Sequence, residues 1–534
     1  MSSVGRASAI IGAGTLVSRV TGLLRTIVLV TVLGAVASRA GDAFTIANQL
    51  PNTIYEIISY GILTAVIVPQ IVRASAHGDG GRVFISKLFT LGTVVLLVTA
   101  ALATACAPLL VELFAPTFPP EQKALATVLA YWCLPQIFFY GLYALVGEAL
   151  NARKVYGPFT WAPIVNNVVS IAGFGLIGLY FGTDLTLVSQ WTPGMVSALG
   201  ATATGGIVVQ AAVLLAFWRR TGLHLRPDFR WRGVGLGDIG RLAGWTFAMV
   251  VVRTLAGIVQ TRVVTEASGD GASAFAMANA WLVFMLPYSI IVMSIGTPYF
   301  TRLSEHAHEN RDDDVRTDLS ASIRVTGMLI TIAAAALMVA AVPATRIFVN
   351  SGEQAVAAAP VLVAYLAGLI PLSILFVVQR AFYAYGDTRT PFVFTVIQCL
   401  LFVALVLVAQ ATLPVDQLAA GVALGQSVST SVQVIIATLL LRRRLGTLGL
   451  RAWVTAYGRF LVAAVPAAAV GWLTYTLLGG DTGWTITEKI PGAIGTGIIG
   501  AVSFAVYLGL LALLRAPELS PVMSLVRRML PGGR

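Results

Sequence analysis

Long, nearly uninterrupted apolar runs recur along the whole of this 534-residue chain. In a bilayer every backbone N–H and C=O must be satisfied within the spanning element, and about 20 apolar residues suffice for a helix to cross. Barrel strands are short and alternate in polarity, so continuous runs of this length exclude a membrane β-barrel. Only 11% of the residues are charged, against about a quarter in soluble domains. The mean hydropathy is +0.85. These values exclude an ordinary soluble enzyme, a disordered chain and a nucleic-acid binder. The fold class is an all-α polytopic membrane protein.

Fourteen spans are predicted, near residues 8–36, 43–72, 86–115, 124–150, 158–182, 195–218, 242–265, 273–300, 322–348, 357–384, 390–412, 417–441, 455–478 and 491–514. Ser2–Arg6 carries one basic residue, and the run after it holds two arginines and no convincing cleavage site, so it reads as a retained helix rather than a signal peptide. An even count places both termini on one side. With that topology, 26 of the 35 Lys and Arg residues fall in the loops on the terminal side. By the positive-inside rule that side is cytoplasmic, and the net charge of +12 reflects topology rather than a nucleic-acid partner. Arg39, Lys123, Arg346 and Lys489 edge the opposite loops. Cys106, Cys133 and Cys399 lie apart in apolar runs and read as small packing residues.

Two short patterns recur about 230 residues apart. Ala149–Phe159 and Ala381–Phe392 each place a basic residue and then Pro-Phe in a short turn; Pro69–Arg73 matches Pro298–Arg302. The offset equals six helices, so the copies share an orientation and their pseudo-twofold runs along the membrane normal. The predicted organisation is an N-lobe over 1–220, a C-lobe over 221–445, and two extra C-terminal helices with a tail over 446–534.

Charges inside the apolar runs bear on function, because a charge at the bilayer centre costs roughly 2.5–3.5 kcal/mol on insertion scales. Arg19 and Arg25 both lie in the first run, about 120° apart around a helix, so at least one lines a wet cavity or pairs with an acid. A guanidinium fork suits phosphate or carboxylate. The competing interpretation is snorkelling to the rim or an inter-helix ion pair. Arg253 follows Arg19 by close to the repeat offset and is a candidate counterpart in the second lobe; Arg262 and Arg380 also lie within runs. Asp42 and Glu56 in the second span are candidates for coupling or gating, although a first-turn acid such as Asp42 also favours the helix dipole. Asn166-Asn167 reads as an inter-helix bonding pair, and the acidic stretch after His306 and His308 as a solvated loop or surface helix. Pro51, Pro69, Pro135, Pro287, Pro298 and Pro371 are expected to interrupt helices. No nucleotide loop, nucleophile elbow or paired metal-binding histidines occur, so neither catalysis nor a metal or other cofactor is expected. The energy source is then an ion gradient, the membrane potential or the substrate's own gradient.

Taken in order, Ser18–Arg25, Asp42-Ala-Phe44, Leu50-Pro-Asn52, Gly61, Val68-Pro69, Ala144–Asn151, Ala162–Asn167, Gly296-Thr-Pro298 and Phe382–Pro391 resemble the MurJ (MviN) family of lipid II flippases, in the multidrug/oligosaccharidyl-lipid/polysaccharide exporter superfamily. The resemblance covers essentially the whole chain, and its alanine- and arginine-rich style is similar to actinobacterial members. It implies a multi-pass plasma-membrane protein that exports the undecaprenyl-pyrophosphate-linked peptidoglycan precursor, with cell-wall synthesis or division proteins as candidate partners. It also implies that Arg19 and Arg25 are cavity arginines and Asp42 the acid that opens span two. The chain departs from the family at Tyr55 and Leu282, where members often carry arginine. Some relatives bind sodium between spans seven and eleven; here an Arg262–Asp387 ion pair is expected instead.

Three functions remain open. The first is a lipid II flippase working by alternating access, with Arg19, Arg25 and Arg253 binding substrate and Asp42, Glu56, Arg262 and Asp387 coupling or gating. The second is an exporter of another polyprenyl-linked glycan. The third is a non-transporting membrane scaffold for cell-wall enzymes.

Overall fold

A computed structural model describes residues 3–59, 82–152, 155, 157–218, 227–229 and 236–519. Gly61, the Pro69–Arg73 copy of the second repeat, Arg153, Lys154, most of the basic loop after span six and the tail from 520 onward lie outside the described residues. Among the described residues every regular element is helical, as expected. Twelve helices are long and apolar enough to span, or thirteen if one bent pair counts as a single span. The second predicted span is described only over Arg39–Ile58, so fourteen remains the expectation.

The chain forms two compact units, Met1–Gly269 and Asp270–Arg534. The first contains α1 (Ser3–Leu33), α2 (Arg39–Ile58), α3 (Arg82–Ala105), α4 (Ala107–Phe114), α5 (Pro120–Cys133), α6 (Gln136–Ala152), α7 (Gly157–Phe181), α8 (Pro193–Ala216) and α9 (Leu236–Val264). The seventh span, α9, packs on α2 and α4 and so clusters with the first six rather than starting the second unit. Repeat symmetry is read from sequence offset and compactness from contacts, so the two criteria divide the chain at different places.

Local sequence explains the breaks. Gly34 ends α1 in the left-handed conformation at φ +68, where a side chain would be strained. Ser38 then caps α2 by accepting from Gly41 N at 2.9 Å. α3 and α4 were expected as one span; they bend by 72° at Cys106, with Pro108 in the first turn of α4. Pro135 separates α5 from α6, whereas Pro51 is carried inside α2 without a break. In the first unit α7 is central, lying against α1 and α8, while α5 lies against α2 and α3 against α6.

The second unit contains α10 (Ala274–Pro287), a π turn at Tyr288–Val292, α11 (Met293–His308), α12 (Asp312–Val339), α13 (Ala341–Arg346), α14 (Gly352–Leu366), α15 (Leu369–Ala384), α16 (Arg389–Thr412), α17 (Leu418–Leu445), α18 (Leu450–Leu477) and α19 (Lys489–Leu513). The last two belong to this unit rather than standing apart. They pack on α12 through Met328, Ile332, Phe460 and Tyr507, and the Tyr507 hydroxyl donates to Met328 O at 2.9 Å. Below them Glu518 is buried between Arg324 at 3.2 Å and Arg459 at 3.3 Å.

Candidate functional site

The first unit has an open cavity of about 680 Å³ between α1, α6 and α7. Thr15, Ser18 and Arg19 reach it from α1, Tyr143 and Asn151 from α6, and Thr160 from α7. Phe159 and Pro163 complete a lining that is mostly apolar, so the Arg19 guanidinium, the hydroxyls and the Asn151 carboxamide form a polar patch on it, the setting in which an intramembrane charge is tolerated where water can reach it. The wall is held by specific bonds. Asn167 Nδ2 donates to Ser18 O and to Thr21 Oγ1, both at 3.0 Å, and so pins α7 against the turn of α1 that carries Arg19. The Tyr143 hydroxyl donates to Phe159 O at 2.7 Å, and its ring stacks on Phe159 at 5.0 Å.

The predicted site residues separate in space. Arg19 lines the cavity. Arg25 is half-buried lower on α1 beside Tyr140. Among the described residues no ion pair involves it. Tyr55, which stands where relatives often have arginine, packs its ring on Tyr140 at 5.6 Å, so the departure from the family adds an aromatic wall near Arg25 rather than a third cation.

Asp42 is buried in a polar knot. Ser268 Oγ donates to its Oδ2 at 2.6 Å. Gln122 Nε2 donates to Ser268 Oγ at 2.8 Å and to Arg39 O at 3.0 Å. The acid thus ties the start of α2 to the start of α5 and to the turn after α9. Glu56 is exposed and accepts from Asn52 Nδ2 at 3.0 Å. Arg253 and Arg262 are exposed on α9, a helix that clusters with the first unit.

The expected Arg262–Asp387 pair is corrected. Asp387 accepts from Thr390 N at 3.0 Å and Thr390 Oγ1 at 2.7 Å, capping α16, and pairs with Arg444 at 3.3 Å. Three spans separate Arg262, in the last turn of α9, from Asp387. That odd number of crossings assigns the two to opposite membrane faces.

Several residues carry more structure than their sequence signalled. Tyr143 lines the cavity, and no local pattern marks it. Asp318, in the stretch read as solvated, is buried; it pairs with Arg302 and lies 3.3 Å from His306 Nε2. Among the described residues no group of three or more His, Cys, Asp or Glu is placed to hold a metal. The second unit has an apolar cavity of about 450 Å³ lined by residues including Ile291, Leu329, Ala336, Gly500 and Phe504.

Comparison with known proteins agrees with this architecture. A solved structure described as "Lipid II flippase MurJ, inward closed conformation" superposes with a TM-score of 0.74 at 20% identity, covering 95% of this chain and 98% of that one. An inward-facing multidrug resistance MATE family transporter of the MOP superfamily superposes at 0.60 with 16% identity, over 80% of this chain and 95% of that one. At these identities the likeness concerns the fold. The "Probable lipid II flippase MurJ" of Rhizobium meliloti (strain 1021) is 26% identical over 519 residues, 94% of this chain and 93% of the relative. The "Lipid II flippase MurJ" of Burkholderia cenocepacia is 26% identical over 392 residues, 71% of this chain and 72% of the relative. A family model described as "Lipid II flippase MurJ" matches residues 29–486, most of the chain, and the chain therefore belongs to the MurJ family.

Proposed function

We propose that this chain is a lipid II flippase of the plasma membrane, moving the diphosphate-linked headgroup from the inner to the outer leaflet by alternating access. The observation that carries this reading is Arg19, with hydroxyls and a carboxamide beside it, on the wall of an open cavity in a bundle of the MurJ family. A guanidinium there offers paired N–H donors to a diphosphate, while the hydroxyls and carboxamide around it suit sugar and peptide groups. The apolar cavity of the second unit suits prenyl hydrocarbon. Both termini are cytoplasmic on the charge argument, and the energy comes from an ion gradient, the membrane potential or the substrate gradient.

The test is reconstitution of the full chain in liposomes with fluorescent lipid II, reading headgroup exposure in each leaflet. Arg19→Ala should lower translocation at least tenfold, about the worth of one charge-assisted hydrogen bond, while inserting normally. A variant that flips as the wild type does removes Arg19 from the mechanism. Wild-type protein that moves another polyprenyl-linked glycan and leaves lipid II in place replaces the substrate, and one that moves neither supports the scaffold.

A further inference from the structure

We propose that Arg380 and the hydroxyl face of α11 form a second phosphate-binding site, in the second unit, that takes the diphosphate of a polyprenyl-linked substrate. The inference rests on the flippase reading and adds to it a second place where substrate is held.

The first observation is how Arg380 is held. Its guanidinium lies 4.8 Å from the Phe300 ring centroid and 5.0 Å from that of Phe376, within cation–π range of both. Arg302, Arg324, Arg444 and Arg459 of the same unit each meet a carboxylate. Among the described residues Arg380 meets none. Aromatic contact fixes the position of the group without using its N–H edges, and those edges are what bind phosphate oxygens in pairs. The arrangement depends on a glycine: a Cβ at Gly296 would lie 2.6 Å from Phe376 Cε1.

The second observation is the neighbouring helix face. Ser294, Thr297 and Thr301 recur at helical spacing on α11 and all three are exposed, inside a helix long and apolar enough to span. Ser294 and Thr297 fall in the last turns of the predicted span 273–300 and Thr301 just beyond it, at the end of the helix where lipid headgroups and water meet it. Thr297 Oγ1 donates to Met293 O at 2.7 Å and Thr301 Oγ1 to Thr297 O at 3.5 Å. Their lone pairs remain to accept from sugar hydroxyls or amides. Phe300 precedes Thr301 in the same turn, so the ring that holds Arg380 flanks this row. On the orientation proposed above, Arg380 stands at the cytoplasmic end of α15, on the side from which the substrate arrives.

The experiment uses the full chain in phosphatidylcholine nanodiscs. A short-chain polyprenyl diphosphate and the matching neutral polyprenol are titrated, with phosphatidylglycerol as competitor, and lipid II flipping is measured in parallel. Arg380→Gln should weaken diphosphate binding about tenfold and leave polyprenol binding unchanged. Arg380→Lys, which keeps the charge but loses the planar fork, should fall between and serves as the folding control. Diphosphate binding equal to wild type in Arg380→Gln overturns the site, as does displacement of the diphosphate by equimolar phosphatidylglycerol, which would make Arg380 a holder of bulk lipid headgroups. Wild-type protein that binds the diphosphate through Arg380 yet fails to flip lipid II overturns the flippase reading and leaves the site standing. Wild-type flipping with undiminished binding in Arg380→Gln does the reverse.

Discussion

Arg346 offers a sharp test of how one end of the second unit is held. By sequence it edges an outer loop, where arginines ordinarily face water. In the fold it is only 5% exposed. Nε donates to Ile486 O at 2.8 Å, Nη1 to Val349 O at 2.8 Å and Nη2 to Thr487 O at 2.7 Å. One guanidinium therefore joins α13 and its following turn to the loop between α18 and α19. Burial pulls its pKa below the ordinary arginine value, and the Glu488 charge opposes that shift. Arg346→Met keeps much of the volume but leaves three carbonyls unpaired. A hydrogen bond from a charged donor contributes about 1.5–3 kcal/mol, so the gross loss is roughly 5–9 kcal/mol over three such bonds. Relief from burying a cation offsets part of it, for a net destabilisation of about 3–5 kcal/mol. Arg346→Lys restores the charge but not the three-way fork and should lie between. Denaturant unfolding in mixed micelles reads the free energy, and emission from Trp484 in the tethered loop reports whether that loop loosens first. Equal stability of Arg346→Met and wild type would refute the argument, showing that in the membrane the side chain points to water.

Two further substitutions probe the polar contacts that tie distant segments together. Glu518→Ala leaves Arg324 and Arg459 facing each other without their shared carboxylate; it should cost about 3 kcal/mol and open the segment around Glu518 to protease, a change absent if the apolar contacts of Ala516 and Leu519 alone hold that segment. Asp42→Asn can still accept from Ser268 and should stay within about 1 kcal/mol of wild type, whereas Asp42→Ala leaves the Ser268 hydroxyl without its acceptor and should cost about 2 kcal/mol; thermal unfolding that does not distinguish the two variants would show that Asp42 is not held as described.

The predicted organisation and the fold meet unevenly, and particular residues show why. Asn167 bonds α1, as its place in an apolar run predicts, because a carboxamide there has few alternatives to a neighbouring helix. The π turn after Pro287 and the kink at Cys106 are local consequences of proline, one at an anticipated position and one not. Analogy with relatives points Asp387 to Arg262, yet its partners, Thr390 and Arg444, come from its own membrane face. The Arg380 stack has no sequence signature, because Phe300 and Phe376 are ordinary apolar residues until α11 and α15 pack.

The lipid solvent, the all-α class and the family are legible in residue order alone. Hydropathy is a sum over neighbours in the chain, and a spanning helix satisfies its backbone within itself, so these features are written locally. The charged residue that lines the cavity was also visible as an arginine out of place. Packing alone brings Arg19 to the cavity while Arg25 lies beside tyrosine, draws Asp42 into a buried knot, and makes Arg346 an internal clasp. Asp42 and Ser268 are 226 residues apart, and no local pattern encodes such a meeting. It arises when helices that are each stable alone in lipid pack by shape and by the few polar groups they must satisfy together.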